Sequence, residues 1–126
     1  MTDPRNLLRR EGEYWTIAFD GNVVRLRDAK GIRYLARLLE RPGERLRAID
    51  LTGDGGGPDP DPAAAERARV NVTRAIGAVR RRIATLHPPL ADHLEATLRT
   101  GSFCSYRPDP RVPIRWRTGD PNPDRS

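Results

Sequence analysis

Residues 66–86 contain four long polar side chains whose types and spacing favour contact with DNA bases. They are separated by four, three and seven residues and are Arg67, Asn71, Arg74 and Arg81. In an α-helix this spacing places all four in one sector. A guanidinium can donate two hydrogen bonds to guanine, and a carboxamide can form a matching pair with adenine. The sequence therefore predicts that this sector faces the major groove of double-stranded DNA.

Five more arginines are predicted to contact the phosphate backbone. Arg69, Arg80 and Arg82 flank the sector on the same helix, and Arg111 and Arg115 lie in a predicted C-terminal β-hairpin. Contacts with phosphates position a protein on DNA, whereas contacts with bases supply sequence specificity. A solvated helix face and a docking surface for an acidic protein are the alternative interpretations of these arginines.

The opposite side of residues 66–86 is aliphatic and must be covered by other elements. Its residues are spaced four, three, four and three apart and are Val72, Ile76, Val79, Ile83 and Leu86. The segment has six arginines and one glutamate, a local charge of +5, whereas residues 52–65 carry −3. The positive charge is therefore concentrated on a helix whose other face is buried.

The whole chain has 126 residues and a formal net charge of +6, and 22 of its 23 basic residues are arginine. This length accommodates one domain, and the charge indicates an anionic partner. No apolar run approaches the roughly 20 residues of a membrane span, and the N-terminus lacks the apolar stretch of a signal peptide. The single cysteine, Cys104, cannot form an internal disulfide, so we expect a cytoplasmic protein without membrane contact.

The residue types that support catalysis or metal binding are sparse. His87, His93 and Cys104 do not match a recognised spacing of zinc ligands. The glycine-rich residues 52–62 lack the Gly-Lys-Ser/Thr sequence that holds phosphate and magnesium in nucleotide-binding loops. We therefore expect no enzyme activity, no cofactor and no metal.

The first half of the chain is predicted to form a β-hairpin and two helices. Apolar residues alternate on both sides of Asp20-Gly21, which is typical of a two-residue hairpin turn, so residues 13–28 form the hairpin. Asp28 is the expected N-cap of an amphipathic helix that ends at Pro42-Gly43. Residues 44–51 are expected to form a short second helix.

The second half is predicted to contain two further helices and a C-terminal hairpin. The long basic helix ends at His87-Pro88-Pro89, because a residue before proline avoids the helical conformation. The next helix is expected to end with Gly101 as its C′ residue. Residues 103–106 and 112–117 are expected to pair as the two strands of a wing.

Three segments are expected to lie outside these elements. Residues 1–12 form a polar arm, residues 52–62 a flexible loop rich in Gly, Asp and Pro, and residues 118–126 a disordered tail. The expected domain, residues 13–117, is α+β, with an N-terminal β-hairpin, three to four helices and a C-terminal β-hairpin wing.

This order of elements resembles the winged helix-turn-helix DNA-binding domain of OmpR-type response regulators and of related antibiotic-pathway activators. Residues 35–43 are similar to the family's first helix and Pro-Gly turn, and residues 76–83 to the apolar and basic pattern that ends its recognition helix. Leu98-Arg99-Thr100 and Tyr106 resemble its wing. The resemblance covers roughly residues 13–117. It implies that the long basic helix docks in the major groove and that the wing lies on the DNA backbone.

A more specific resemblance is to C-terminal segments of large signalling ATPases and regulators of high-GC bacteria. Those segments contain blocks similar to residues 11–15, 26–31, 66–76, 93–97 and 103–106. This second resemblance implies no settled activity.

The charge pattern and the winged-helix resemblance together predict a bacterial DNA-binding transcriptional regulator. A homodimer is compatible with this prediction. Arg33, on the first helix, is expected to lie away from the face that contacts DNA. The main alternative is a winged-helix interaction module that docks its basic face on an acidic partner such as RNA polymerase or a signalling ATPase. A third possibility is binding to RNA or to a membrane surface through charge alone.

Overall fold

The computed structural model describes residues 6–53, 60–111 and 116–119. Within these ranges the chain forms an α+β fold of four helices and two small sheets, in agreement with the expected class. The strands are β1 (Leu7–Glu11), β2 (Tyr14–Phe19), β3 (Asn22–Arg27), β4 (Leu46–Arg47), β5 (Leu98–Arg99), β6 (Phe103–Tyr106) and β7 (Arg117–Gly119). The helices are α1 (Lys30–Glu40), α2 (Ala48–Leu51), α3 (Pro62–Leu86) and α4 (Pro88–Thr97).

The predicted N-terminal hairpin is confirmed as β2 and β3. Asp20 and Gly21 both have positive φ, of 52° and 84°. Two successive residues of this kind form a type I′ turn, whose twist matches that of the flanking strands. Trp15, Ile17 and Leu26 are buried, so one face of the hairpin covers the core as the alternation predicts.

Strands from both ends of the chain extend this hairpin into a four-stranded sheet of order β3-β2-β1-β7. β1 pairs antiparallel with β2, and Leu8 is completely buried within the core. β7 pairs parallel with β1, with Leu7 opposite Arg117. The predicted arm (1–12) and tail (118–126) therefore each contribute residues to a sheet; residues 1–5 and 120–126 lie outside the described ranges.

The prediction that Asp28 caps α1 is wrong, because the N-cap is Ala29 and it makes no side-chain cap bond. The Asp28 carboxylate instead accepts hydrogen bonds from Trp15 Nε1 at 2.9 Å and from Arg33 Nε at 3.1 Å. A guanidinium and an indole N–H satisfy this carboxylate more completely than one backbone N–H would. Asp28 thus ties the β2–β3 hairpin to the first turn of α1.

α1 and α3 pack at unusually short range through Gly31. A Cβ atom built on Gly31 would lie 2.1 Å from the carbonyl oxygen of Ala75 and 2.7 Å from Val79 Cγ2. Only a residue without a side chain allows the backbones of the two helices to approach so closely. The apolar faces of both helices meet around this crossing and are completely buried at Ile32 and Ile76.

The predicted helix over residues 44–51 is shorter than expected. Leu46 and Arg47 form β4, which pairs with Cys104 and Phe103, and only Ala48–Leu51 is helical. Backbone groups that a helix would have used are bonded to β6 instead, a case of tertiary pairing overriding the weak helical preference of a short segment.

β4 and β5 both pair with β6, so the second sheet has the order β4-β6-β5. α4 ends at Thr97, and the backbone is extended from Leu98 onwards. Gly101 lies in the β5–β6 turn with a φ of 152°. The prediction that Gly101 is the C′ residue of α4 is therefore wrong. The predicted pairing of residues 103–106 with 112–117 is also replaced, because Leu98 pairs with Tyr106 and Arg117 belongs to the first sheet; residues 112–115 lie outside the described part.

α3 begins and ends close to the predicted positions. The Asp61 side chain caps its N-terminus by accepting from Ala64 N at 3.1 Å, and Pro62 occupies the first helical position. The predicted loop ends there, and residues 54–59 lie outside the described ranges. At the other end His87 is buried, with Nε2 placed 2.9 Å from the carbonyl oxygen of Phe19. The pairing joins the helix break to the end of β2.

An aromatic cluster connects the two sheets with α4. His93 Nε2 lies 2.7 Å from the Tyr106 hydroxyl, which also accepts a hydrogen bond from Trp116 Nε1 at 3.0 Å. The Phe19 ring stacks on both His93 and Trp116, at centroid distances of 5.1 and 5.8 Å. Burial lowers the pKa of His93 below its usual 6.5.

The close crossing of α1 and α3 predicts opposite effects for one substitution at two helical glycines. Gly31→Ala should destabilise the fold by about 2–3 kcal/mol, because the new methyl group would clash with the α3 backbone. Gly77→Ala should stabilise it by about 0.5–1 kcal/mol, since the nearest atom to a Cβ there is Arg81 Nη1 at 3.6 Å and alanine favours a helix. Urea unfolding of both variants tests this; equal effects would contradict the crossing.

The lowered pKa of His93 predicts a loss of stability in mild acid. Between the folded-state pKa and 6.5, the unfolded chain binds more protons, so stability is complete above pH 6.5 and declines as the pH falls below it. His93→Gln should show a smaller decline in unfolding free energy between pH 7.5 and pH 5.5. Because His87 is present in both proteins, the difference reports His93 alone. An identical decline in both proteins would refute the assignment.

Candidate functional site

The predicted contact residues of α3 lie on its outer face. Those expected to reach DNA bases are all exposed, opposite the buried stripe, and are Arg67, Asn71, Arg74 and Arg81. Ala78 is exposed between them, so the face has a shallow centre flanked by long side chains.

Most of the α3 arginines are available to an external anion. Arg69 is engaged, because its Nε donates to the Glu66 carboxylate at 3.0 Å. That contact lowers the pKa of Glu66. The side chains of the other five form neither a hydrogen bond nor an ion pair with the residues the structure describes; these residues are Arg67, Arg74, Arg80, Arg81 and Arg82.

A basic cleft of about 960 Å³ lies beside the crossing of α1 and α3 and is lined by residues of both helices. Its cationic residues come from both helices and are Lys30, Arg33, Arg37, Arg67 and Arg74. The expectation that Arg33 lies away from the contact face is therefore wrong. Two helices that bury their apolar stripes against each other bring together the flanks beside those stripes, and the flanks of α1 and α3 are both basic.

The remaining lining of the cleft is neutral. Tyr34 and Asn71 contribute polar groups, and Leu51 and Thr52 at the end of α2 close one side. No carboxylate is among the described residues that line it. The cleft therefore combines a concave shape with a positive potential, a combination that concentrates anions.

The far end of α3 faces a different neighbour. Arg80 and Arg81 line a shallow groove of about 230 Å³ between α3 and α4, in which Glu95 is also present. The single sector predicted from the helical spacing is thus divided: Arg67 and Arg74 face the α1 side, and Arg81 faces the α4 side. Arg82 is exposed and lines neither of these depressions.

The two arginines predicted for the wing are only partly accounted for. Arg111 is exposed, and its guanidinium lies 3.2 Å from the Asp109 carboxylate, which lowers the pKa of Asp109. Arg115 lies outside the described ranges. The second sheet instead carries an exposed aromatic side chain that sequence reasoning missed, Phe103, with Arg45 positioned 4.3 Å from its ring centroid.

Metal binding and membrane insertion each require a recognisable arrangement of residues. Over residues 6–53, 60–111 and 116–119, no three His, Cys, Asp or Glu side chains are grouped so as to hold a metal ion. Within the same ranges, no helix combines the length and the apolar character needed to cross a membrane.

Comparison with protein-family models gives no match, and comparisons with curated proteins and with solved structures likewise give no significant match.

Among the cations of the cleft, Arg33 is paired with a carboxylate, that of Asp28. Arg33 binds it through two nitrogens, and Arg10 Nη2 lies 3.1 Å from the same carboxylate. The hydrogen bonds from Arg33 are the largest cause of a pKa of about 2 for Asp28, against a usual 3.8; the bond from Trp15 contributes further, and burial opposes both. Arg33 is therefore held in the cleft wall by an ion pair, whereas the side chains of Lys30, Arg37, Arg67 and Arg74 have no ion-pair partner within the described ranges.

The lowered pKa of Asp28 predicts a specific acid response. The depressed value contributes about 2 kcal/mol of stability, present above pH 3.8 and lost as the pH falls through about 2. Asp28→Asn should therefore be about 2 kcal/mol less stable than the wild type at pH 7, and the gap should close towards pH 2. Chemical unfolding at several pH values measures it, with Asp92→Asn on the exposed side of α4 as the control. A gap independent of pH would refute the ion-pair explanation.

Proposed function

We propose that this protein is a DNA-binding transcriptional regulator domain that docks α3 in the major groove of double-stranded DNA. The observation that carries the proposal is the outer face of α3. Arg67, Asn71 and Arg74 project there, opposite the core, and the two arginines have no ion-pair partner within the described ranges. The major groove admits one helix, and Arg and Asn are the side chains best suited to guanine and adenine.

The order of elements supports a winged helix-turn-helix as the finer description of the fold. Four helices, α1 to α4, follow the N-terminal strands, and a β-hairpin, β5–β6, comes after them. In this proposal β5–β6 is the wing, and α4 is an insertion before it. Phe103 on the central strand β6, and Arg45 next to its ring, would face the DNA backbone, a role that the sequence assigned to Arg111 and Arg115.

The polar side chains on the exposed face of α3 would have two roles. Asn71 and Arg74 lie nearest the middle of the exposed face and would read base edges. Arg80, Arg81 and Arg82 would bind phosphates beyond the groove, because Arg81 is turned towards α4. Arg69 would contribute less than predicted, since a phosphate would have to displace Glu66.

The proposal predicts tight, salt-sensitive binding to a duplex. With a fluorescein-labelled 30-base-pair duplex, anisotropy should give sub-micromolar affinity at low salt and a log–log salt slope of about −5, as expected when six phosphates are neutralised. Arg74→Gln should weaken binding by about 1–3 kcal/mol, because it removes a contact with a base edge. The matched control is Arg25→Gln, which removes the same charge from β3, an edge strand outside the cleft. Failure of the wild type to bind, or equal losses in both variants, would refute a docked α3.

The alternative function is an interaction module that uses the same face on an acidic protein, such as RNA polymerase or a signalling ATPase. The exposed Ala78 favours it, because the centre of a base-reading helix would be better served by a longer side chain. Under this alternative the wild type fails to bind duplex DNA below micromolar concentration at low salt. Cytoplasmic location and a homodimer are compatible with both functions.

A further inference from the structure

The α1–α3 cleft has two features that a helix docked in the major groove does not by itself require. One wall belongs to α1, and the cleft is concave where a base-reading surface would protrude. We propose that this cleft seats the sugar–phosphate backbone of one DNA strand, which makes α1 a second phosphate-binding element. The inference rests on the proposed function and identifies which part of the DNA the cleft receives.

The charge distribution of the cleft calls for an anion. The side chains of Lys30, Arg37, Arg67 and Arg74 form no hydrogen bond or ion pair with any residue in the described ranges, and no described carboxylate lines the cleft. The nearest interaction of this kind is the attraction between Arg37 and Asp50, which lies outside the cleft. Arg33 is the exception, since Asp28 neutralises it. Like charges that face each other across a cleft repel one another unless an anion lies between them.

The spacing of these cations suits a strand of nucleic acid. Lys30 and Arg37 are seven residues apart on α1, and Arg67 and Arg74 are seven apart on α3. Seven residues of α-helix span about 10 Å along the axis. A strand seated in the cleft follows a helical path, so its successive phosphates are farther apart than the roughly 3.4 Å rise along the duplex axis. Lys30 and Arg37 can therefore contact different phosphates of the same strand.

The position of the cleft also fits the backbone better than it fits the bases. A helix lying in the major groove is bordered by one sugar–phosphate backbone on each side. On one side of α3 lies the cleft, opening from the crossing at Gly31, with Lys30 and Arg74 next to that crossing and Arg37 and Arg67 farther along each helix. A backbone ridge running beside α3 would therefore enter the cleft and meet α1.

The test measures duplex binding and its salt dependence for Lys30→Gln and Arg37→Gln. The control is Arg41→Gln, the C-cap residue directly after α1, which is exposed, lies outside the cleft and is already near Glu44 at 3.6 Å. Each cleft variant should weaken binding by about two- to fivefold and reduce the salt slope by about 1. The losses should be the same on two duplexes of unrelated sequence, because phosphates carry no sequence information.

Further variants separate charge from folding and from a small-anion site. Lys30→Arg should bind like the wild type, since it keeps the charge, and all variants should unfold at the wild-type temperature. If Lys30→Gln and Arg37→Gln bind like Arg41→Gln while Arg74→Gln is impaired, the cleft inference fails and the proposed function stands. If the wild type binds no duplex, both fail. If inorganic tripolyphosphate binds through Lys30 and Arg37 and the duplex does not, the cleft is a small-anion site and the backbone inference is overturned.

Discussion

The contact between Gly31 and the α3 backbone is the constraint on which the rest of the structure depends. Because Gly31 lacks a side chain, α1 lies directly against the Ala75 carbonyl, and the apolar stripes of both helices are buried around that point. The same contact fixes the distance between the two basic flanks. A wider separation would leave a dry core poorly packed and would turn the cleft into two unrelated surfaces.

Apolar packing attracts α1 to α3 on one side of that contact, and like charges repel one another on the other side. Burial of Ile32, Ile76 and their neighbours holds α1 against α3. Cations of like sign, Lys30 and Arg74 among them, then face each other across the cleft at an energetic cost. Asp28 forms an ion pair with one wall residue, Arg33, and Asp50 attracts Arg37 from outside the cleft. A site that keeps uncompensated charge beside a well-packed core is the arrangement expected where binding, and not stability, determines the surface.

Local patterns in the sequence were sufficient to predict the elements that depend on local physics. The β2–β3 turn follows from Asp20-Gly21, and the long helix follows from its period and from the proline break after His87. Errors arose where a distant partner competes for a polar group or a backbone edge. Asp28 is taken by Arg33 and Trp15, and β4 is formed because β6 supplies its hydrogen bonds.

The candidate site was predicted in composition but not in arrangement. A helical period gives the buried and exposed faces of α3, and these are confirmed, but it does not say which flank another helix will adjoin. The position of α1 beside α3 brings Lys30 and Arg37 to the site, and the position of α4 separates Arg81 from Arg74. Neither position can be obtained from the helical period. The single signal that could have revealed the position of α1 is Gly31, a glycine in the first turn of an otherwise strong helix.

The parallel pairing of β1 with β7 has a consequence for the order in which the molecule is made. The β2–β3 hairpin, α1 and α3 can form contacts as soon as they leave the ribosome, because their partners are already synthesised or follow closely. β1 reaches its second neighbour only after Arg117 has emerged, about 110 residues after Leu7. Until then one edge of the N-terminal sheet is open, and Leu8 is held in the nascent core by the antiparallel side of the sheet alone.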